Sequence, residues 1–525
     1  MTWARAAFCA AFFLALAGGS PASSQDITLR SPDGAVEISG MLLGFDGEFY
    51  RVDTKFGELT VDGSGVICDG PACPNIDTYV AEVLFSGASS MTEVLLPALV
   101  EGFARRQQME ARRIQLDETH FLYELVREGV ERPAARFEFH VTTTDEGFAD
   151  LLANEADVVL ASREIRPEER QRAMESGIGD LTEPNRSRVL ALDALVPVVT
   201  LTHPLREIST TDLARLLSGE ITNWALLGGP DAPVTLHLPA AGSGLSQAAE
   251  DRLLRPLGAQ PDADGPGADI RRHSRSGDVA RAVGDDPFGI GFTGFAEIAP
   301  ARALTLTGSC GFSLSATRRT IKTEDYPLTA PLFLYLPARR LPRMARDFLA
   351  YTRSDPAQIV IRRSGFVDQA PEEIPINDQG DRFANALLAA GPEIALPELR
   401  AMTQALAPLA RLTTSFRFEP GSARLDAQSR SNVAQLAGAI ATGTYDTRRL
   451  LFAGFSDGQG PAADNLRIAE ARAGAVRDAV LAAVEPGLAD RVDIGVAAFG
   501  EALPMACDDS DWGRGVNRRV EIWVR

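Results

Sequence analysis

The feature that most constrains the fold is a strand, a hydroxyl- and glycine-rich turn and an amphipathic helix in succession, met three times between Thr78 and Asp368. Val83-Leu84-Phe85 runs into Ser86-Gly87-Ala88-Ser89-Ser90, and Leu95, Leu96, Leu99, Val100 and Phe103 follow at helical spacing. Phe137-Glu138-Phe139-His140-Val141 leads into Thr142-Thr143-Thr144-Asp145-Glu146-Gly147-Phe148, and Leu236-His237-Leu238-Pro239 into Ala241-Gly242-Ser243-Gly244. Such alternation predicts an α/β domain. Each turn offers backbone N–H groups and hydroxyls at a helix start, which is the chemistry that holds an anion. The same hydroxyls can simply cap helices. In an open α/β sheet ligands lie outside the carboxyl ends of the strands, so the three turns can converge on one ligand, with separate helix caps as the alternative.

A chain of 525 residues predicts about three folded units. Hydrophobic residues at 45% and charged residues at 23% exclude disordered, collagenous and multi-span membrane classes. The net charge of −19 supplies no basic field, which argues against nucleic acid or an anionic lipid surface as partner. An anion must then be captured by local geometry.

Arg5, the apolar run Ala6 to Ala17, and the small residues through Ser24, with Ala22 and Ser24 in the −3 and −1 positions, read as a cleaved signal over residues 1–24. The run is shorter than the ~20 residues a bilayer needs. Cys9 lies inside it without a lipoprotein pattern. Export fits a disulfide between Cys68 and Cys73 in the turn-rich Cys-Asp-Gly-Pro-Ala-Cys loop. Cys310 and Cys507 are read by default as separate buried thiols, with pairing across an interface as the alternative. No Cys/His spacing suggests a metal, and no cofactor is expected. Residues 25–76 alternate apolar and polar positions, with Asp46-Gly47 as a hairpin turn, and are expected to form a small β module for structure or partner docking.

Residues 371–411 read as a helical linker. From 412 to 525 the pattern is strand, helix, strand, helix, strand, strand. Asp457 falls at the exit of Arg449–Phe455, and Asn465 and Arg472, seven apart on the next helix, share a face. A carboxylate, an amide and a guanidinium together suit a zwitterionic ligand, with an intradomain Asp457–Arg472 salt bridge as the plain alternative.

Over residues 77–370 the chain resembles the phosphate-binding branch of the periplasmic solute-binding proteins of ABC transporters, the PstS-like group. The matching stretches include Ser86 to Ser90, Glu155 to Arg163, Ala191-Leu192-Asp193, Leu217 to Trp224 with its Ser-Gly-Glu-Ile-Thr-Asn-Trp, Gly242-Ser243-Gly244, Gly289 to Phe292 and Tyr326-Pro327-Leu328. The resemblance implies two α/β lobes closing over phosphate or a related oxyanion, with Ser89, Ser90, Thr143, Thr144, Ser162, Arg163, Ser243 and Gly244 as binding residues. Two departures stand out. Ala240-Ala241 replaces an Arg common before the Ser-Gly turn, and Arg163 stands where some members have an Asp acceptor, a role Asp145 or Glu146 would then supply.

Residues 412–525 resemble the OmpA-like peptidoglycan-binding domain, through Phe416 to Ser422, the Asp457/Asn465/Arg472 spacing and Asn517-Arg518-Arg519-Val520-Glu521. Gly454-Phe455-Ser456-Asp457 departs from the usual Gly-His-Thr-Asp. The resemblance implies that Asp457 and Arg472, assisted by Asn465 and Arg518, grip the diaminopimelate of the stem peptide. The expected molecule is thus a multidomain α/β and α+β chain: a small N-terminal β module, a two-lobed binding domain and a C-terminal βαβαββ domain. Its expected role is non-enzymatic oxyanion capture in the periplasm, associated with peptidoglycan and the outer membrane, with an ABC permease or a sensor as further partner. The other reading is a structural or sensing protein whose binding domain has lost or changed its ligand. No Gly-x-Ser-x-Gly elbow or metal constellation supports a hydrolase.

Overall fold

The computed structural model describes residues 26–183, 185–255, 269–390, 394–419 and 421–525. The signal reading and Cys9 lie outside them. The chain divides into two compact units, through Ala81 and from Glu82 onward.

The first unit is a five-stranded antiparallel sheet. Asp46 Oδ1 accepts from the N–H groups of Glu48 and Phe49, at 2.9 and 2.7 Å, and Gly47 takes φ 91°, so Asp46-Gly47 turns the chain as expected. Ile27, Leu29, Tyr50 and Val52 form its buried centre. The Cys68–Cys73 disulfide closes its last loop.

In the second unit one mixed sheet runs through the binding domain in the order Asp269–His273, Thr235–Pro239, Gly289–Gly294, Ser187–Val199, Thr329–Tyr335, Val158–Ala161, Ala81–Ala88, Pro133–Thr142, His120–Arg127, Met109–Gln115. The thirteen-residue strand Ser187–Val199 belongs to both halves. Its first part, Ser187 to Ala194, pairs with Thr329–Tyr335, and Leu195 to Val199 pairs with Gly289–Gly294. The change of partner falls beside Asp193. Leu95, Leu96, Leu99, Val100 and Phe103 are all buried, as their spacing predicts, on a π turn, Met91–Leu95, and the helix Leu96–Arg106. The Ser-Gly-Glu-Ile-Thr-Asn-Trp segment is a packing motif. Gly219 takes φ 73°, Asn223 caps the following turn, and buried Trp224 donates to the Phe288 carbonyl at 2.9 Å.

The C-terminal sheet has the order Glu373–Ile374, Ala410–Phe416, Arg519–Val524, Arg449–Phe455, Asp493–Ala498. Helices Ala427–Ala441 and Ala462–Ala483 take the expected places, and a short helix, Asp511–Asn517, precedes the last strand. Segment 371–411, expected to be a linker, is helical, but it does not act as a spacer. Ala386, Leu399, Met402 and Leu406 share a core with Leu451, Phe455 and Trp523, so its helices Gly380–Ala389 and Leu396–Leu406 are a layer of the C-terminal domain. Their apolar positions need a partner surface, and the sheet supplies it.

The binding domain and the C-terminal domain are joined by buried charge and by a covalent bond. Arg411 holds Asp325 through two bonds of 2.7 and 3.0 Å, and Arg417 donates to the Glu324 carbonyl at 2.9 Å. Cys310 and Cys507 form a disulfide, which overturns the default reading of two separate thiols. They lie 197 residues apart, and only the docking of the two domains brings them within reach.

Candidate functional site

The strand-to-helix turns do converge. Ser89, Ser90, Thr142, Ser162, Ser243 and Gly244 line one pocket of about 80 Å³, together with Asp193, Glu297 and Arg275. That volume suits a single small ion, far below the roughly 300–1,000 Å³ of a typical small-molecule site. Ser90 stands at the start of Met91–Leu95 and makes no side-chain cap bond. Ser243 does cap, accepting from Ser246 N–H at 3.3 Å. Gly244 is required by space, because a Cβ there would sit 1.5 Å from Ser162 Oγ. The two halves are therefore in close contact at Ser162 and Gly244.

Thr143, Thr144 and Arg163, also expected as ligand residues, do not line the pocket. Thr143 forms a capping box with Glu146, accepting from its N–H at 3.2 Å while Glu146 Oε2 accepts from Thr143 N–H at 3.1 Å. Thr144 is buried; its Oγ1 accepts from Ser162 N–H at 3.1 Å and is hydrogen-bonded to Ser162 Oγ at 3.2 Å, which sets the Ser162 side chain. Arg163 spends its donors inside the protein: Nε on Gln247 Oε1 at 2.8 Å, and the terminal nitrogens on Glu169 at 2.6 and 2.9 Å, on the Glu164 carbonyl and on Asp145. Gln247 also donates to Asp145 Oδ2 at 2.7 Å. Arg163, Asp145 and Gln247 thus form a latch between the halves behind the pocket. Asp145 and Glu146, the candidate substitute acceptors, are occupied by that latch and by the cap.

Asp193, 4% exposed, is the buried carboxyl of the pocket, which Glu93 and Glu297 also line. Its Oδ1 accepts from the N–H groups of Ala194 and Phe295, at 2.8 and 2.7 Å. Burial nevertheless pushes its carboxyl up to about 6. Arg275 closes the mouth, donating to Glu93 Oε1 of the opposite half at 3.0 Å. The signal for Arg275 was the one already read elsewhere: Ser274-Arg275 follows the strand Asp269–His273 and precedes the helix Ser276–Asp285.

In the C-terminal domain Asp457 is buried at the end of Arg449–Phe455 and pairs with Arg518 at 2.5 Å, not with Arg472. Arg472 lies over the Phe418 ring, 5.1 Å from its centroid. Burial and the neighbouring Arg518 hold its pKa below the ordinary value, and Asp457 acts the other way. Asn465 donates to Glu501 at 3.0 Å. Asp457, Arg472 and Arg518 therefore form one charged cluster, flanked by Asn465.

Residues 76–356 match the model of the PBP superfamily domain, which is more than half of the chain. The chain belongs to the PBP superfamily. Residues 417–518 match the OmpA family, so this PBP chain carries a C-terminal OmpA domain. It is similar to Protein SphX of Synechococcus elongatus, 26% identical over 270 residues, covering 48% of this chain and 76% of that protein. Phosphate-binding protein PstS of Borreliella burgdorferi is 24% identical over 212 residues, 40% of this chain and 71% of that one. Among solved structures, an ABC-type phosphate transport receptor from Vibrio cholerae is 18% identical, with a TM-score of 0.40 over 54% of this chain and 99% of that one.

Proposed function

We propose that this chain is a periplasmic binding protein that captures phosphate, or an oxyanion of the same size and charge, without turnover, and is held to peptidoglycan by its OmpA domain. The observation that carries the reading is the pocket of about 80 Å³ in which hydroxyls from four strand ends, Ser89 with Ser90, Thr142, Ser162 and Ser243, face one small volume. Hydroxyls and backbone N–H groups bind an oxyanion despite a net charge of −19, because they act at contact distance where the mean field counts for little. The relatives named as phosphate-binding proteins support the choice of ion.

Ser89, Ser90, Ser162, Ser243 and Gly244 are the direct donors in this reading, and Thr143, Thr144 and Arg163 hold the frame. Asp193 takes the acceptor role. Ionised, it accepts a hydrogen bond from a proton-bearing oxyanion and repels one that carries no proton, which favours phosphate over sulfate. Tethering suits local capture or ligand sensing at the wall, with a membrane permease or a sensor as receiving partner. Calorimetry of the full chain with phosphate and with sulfate tests the pocket. Binding of phosphate alone supports the reading, and binding of neither removes it.

A further inference from the structure

A cleft of about 540 Å³ opens where both halves of the binding domain meet the OmpA domain. Its volume is that of a site for a peptide-sized ligand, unlike the small pocket. Arg166 reaches it from the first half, Arg252 and Glu324 from the second, and Phe418 and Gln428 from the OmpA domain. Gln428 is 4% exposed and bonds Asn432 through Nε2 at 2.9 Å, but its Oε1 has no hydrogen-bond partner. Glu324 Oε1 is likewise buried and unpartnered, and burial pushes that carboxyl up to about 8. Arg252 donates to the Pro327 carbonyl at 3.2 Å. The Gln428 and Glu324 oxygens are both closed off from the cleft, so the charged groups that its wall offers an occupant include the guanidinium groups of Arg166 and Arg252.

The cleft adjoins the charged cluster of the OmpA domain. Phe418 lines it, and Arg472 lies over the same ring. We propose that the cleft binds the part of the stem peptide next to the residue held by Asp457 and Arg472, with Arg166 and Arg252 taking its carboxylate and carbonyl oxygens. This rests on the wall-binding reading of the OmpA domain and adds that the binding domain supplies part of the peptide site.

Calorimetry on the full chain, with free diaminopimelate and with a soluble stem tetrapeptide that contains it, tests the proposal. The tetrapeptide is expected to bind about tenfold tighter or better, the worth of one charge-assisted hydrogen bond. Arg166→Ala and Arg252→Ala should each remove most of that advantage and leave free diaminopimelate unchanged, and Arg166→Lys should restore part of it. Equal affinity for the two probes, or an advantage that survives both substitutions, overturns the proposal. If neither probe binds, or if Asp457→Ala leaves both affinities intact, the wall-binding reading itself fails, and the cleft proposal with it.

Discussion

Cys310, in a loop of the second half of the binding domain, is bonded to Cys507, in the loop before the last helix of the OmpA domain, with 5.6 Å between their Cα atoms. Beside it Ser309 N–H donates to Asp509 at 2.7 Å, and Trp512 Nε1 donates to Thr210 Oγ1 at 2.5 Å. The OmpA domain reaches the first half as well, where Arg430 donates to Glu164 at 2.9 Å. It therefore straps both halves. Replacing both cysteines by serine reopens a closed loop of 197 residues in the unfolded chain and should cost about 2–5 kcal/mol. Thermal unfolding checks this: without reductant the variant should melt below the wild type, and reductant, which opens Cys68–Cys73 in both, should bring the two midpoints together.

Asp325 is the shared counter-ion of the domain junction. It is 4% exposed, and Arg411 and Arg417 both face it. Asp325→Ala leaves two buried guanidinium groups undercompensated, with a loss of about 3–5 kcal/mol expected in urea denaturation.

The Asp193 carboxyl, raised by burial from 3.8 to about 6, makes stability depend on pH. Between those values the folded state binds more protons than the unfolded one, so stability falls as pH rises. The contribution is fully present below about 4 and lost above about 6, roughly 3 kcal/mol in all. Asp193→Asn should flatten the unfolding free energy over this window, measured as denaturation midpoint against pH.

Ser90 and Arg163 should separate in their effects. Ser90 makes no cap bond, so Ser90→Ala is expected to weaken phosphate binding about tenfold with an unchanged thermal midpoint. Arg163→Ala strips the partner from half-buried Glu169 and from Asp145, and should lower both the midpoint and the affinity. Calorimetry beside thermal melts distinguishes the two patterns.

Asp457→Ala removes the carboxylate facing Arg518 and Arg472 and leaves two like charges. Sedimentation with purified sacculi should show wall binding lost, with phosphate affinity retained.

Local signals carried much of the fold. The Leu95 to Phe103 face, the Asp46-Gly47 turn and the strands Arg449–Phe455 and Arg519–Val524 were legible because neighbouring residues alone set periodicity and turn chemistry. Ser89, Ser90 and Ser243 lie in turns that the pattern marks, whereas Ser162 was marked only by the family resemblance. Segment 371–411 was readable as helical, but whether its apolar face is a spacer or a layer depends on a sheet that forms from later residues.

The sequence by itself thus determined which chemistry the chain owns: hydroxyl-rich turns in an α/β frame, and an acid, an amide and a guanidinium on one terminal domain. Tertiary structure alone decided how the charges are spent. Arg163 is taken by Asp145, Glu169 and a Gln247 that lies 84 residues away, Cys310 by a cysteine 197 residues away, and Asp193 is carried into the pocket as its buried carboxyl. Charge pairing and disulfide bonding act over a few ångströms of space, and residues so far apart in sequence are brought that close only by the packed fold.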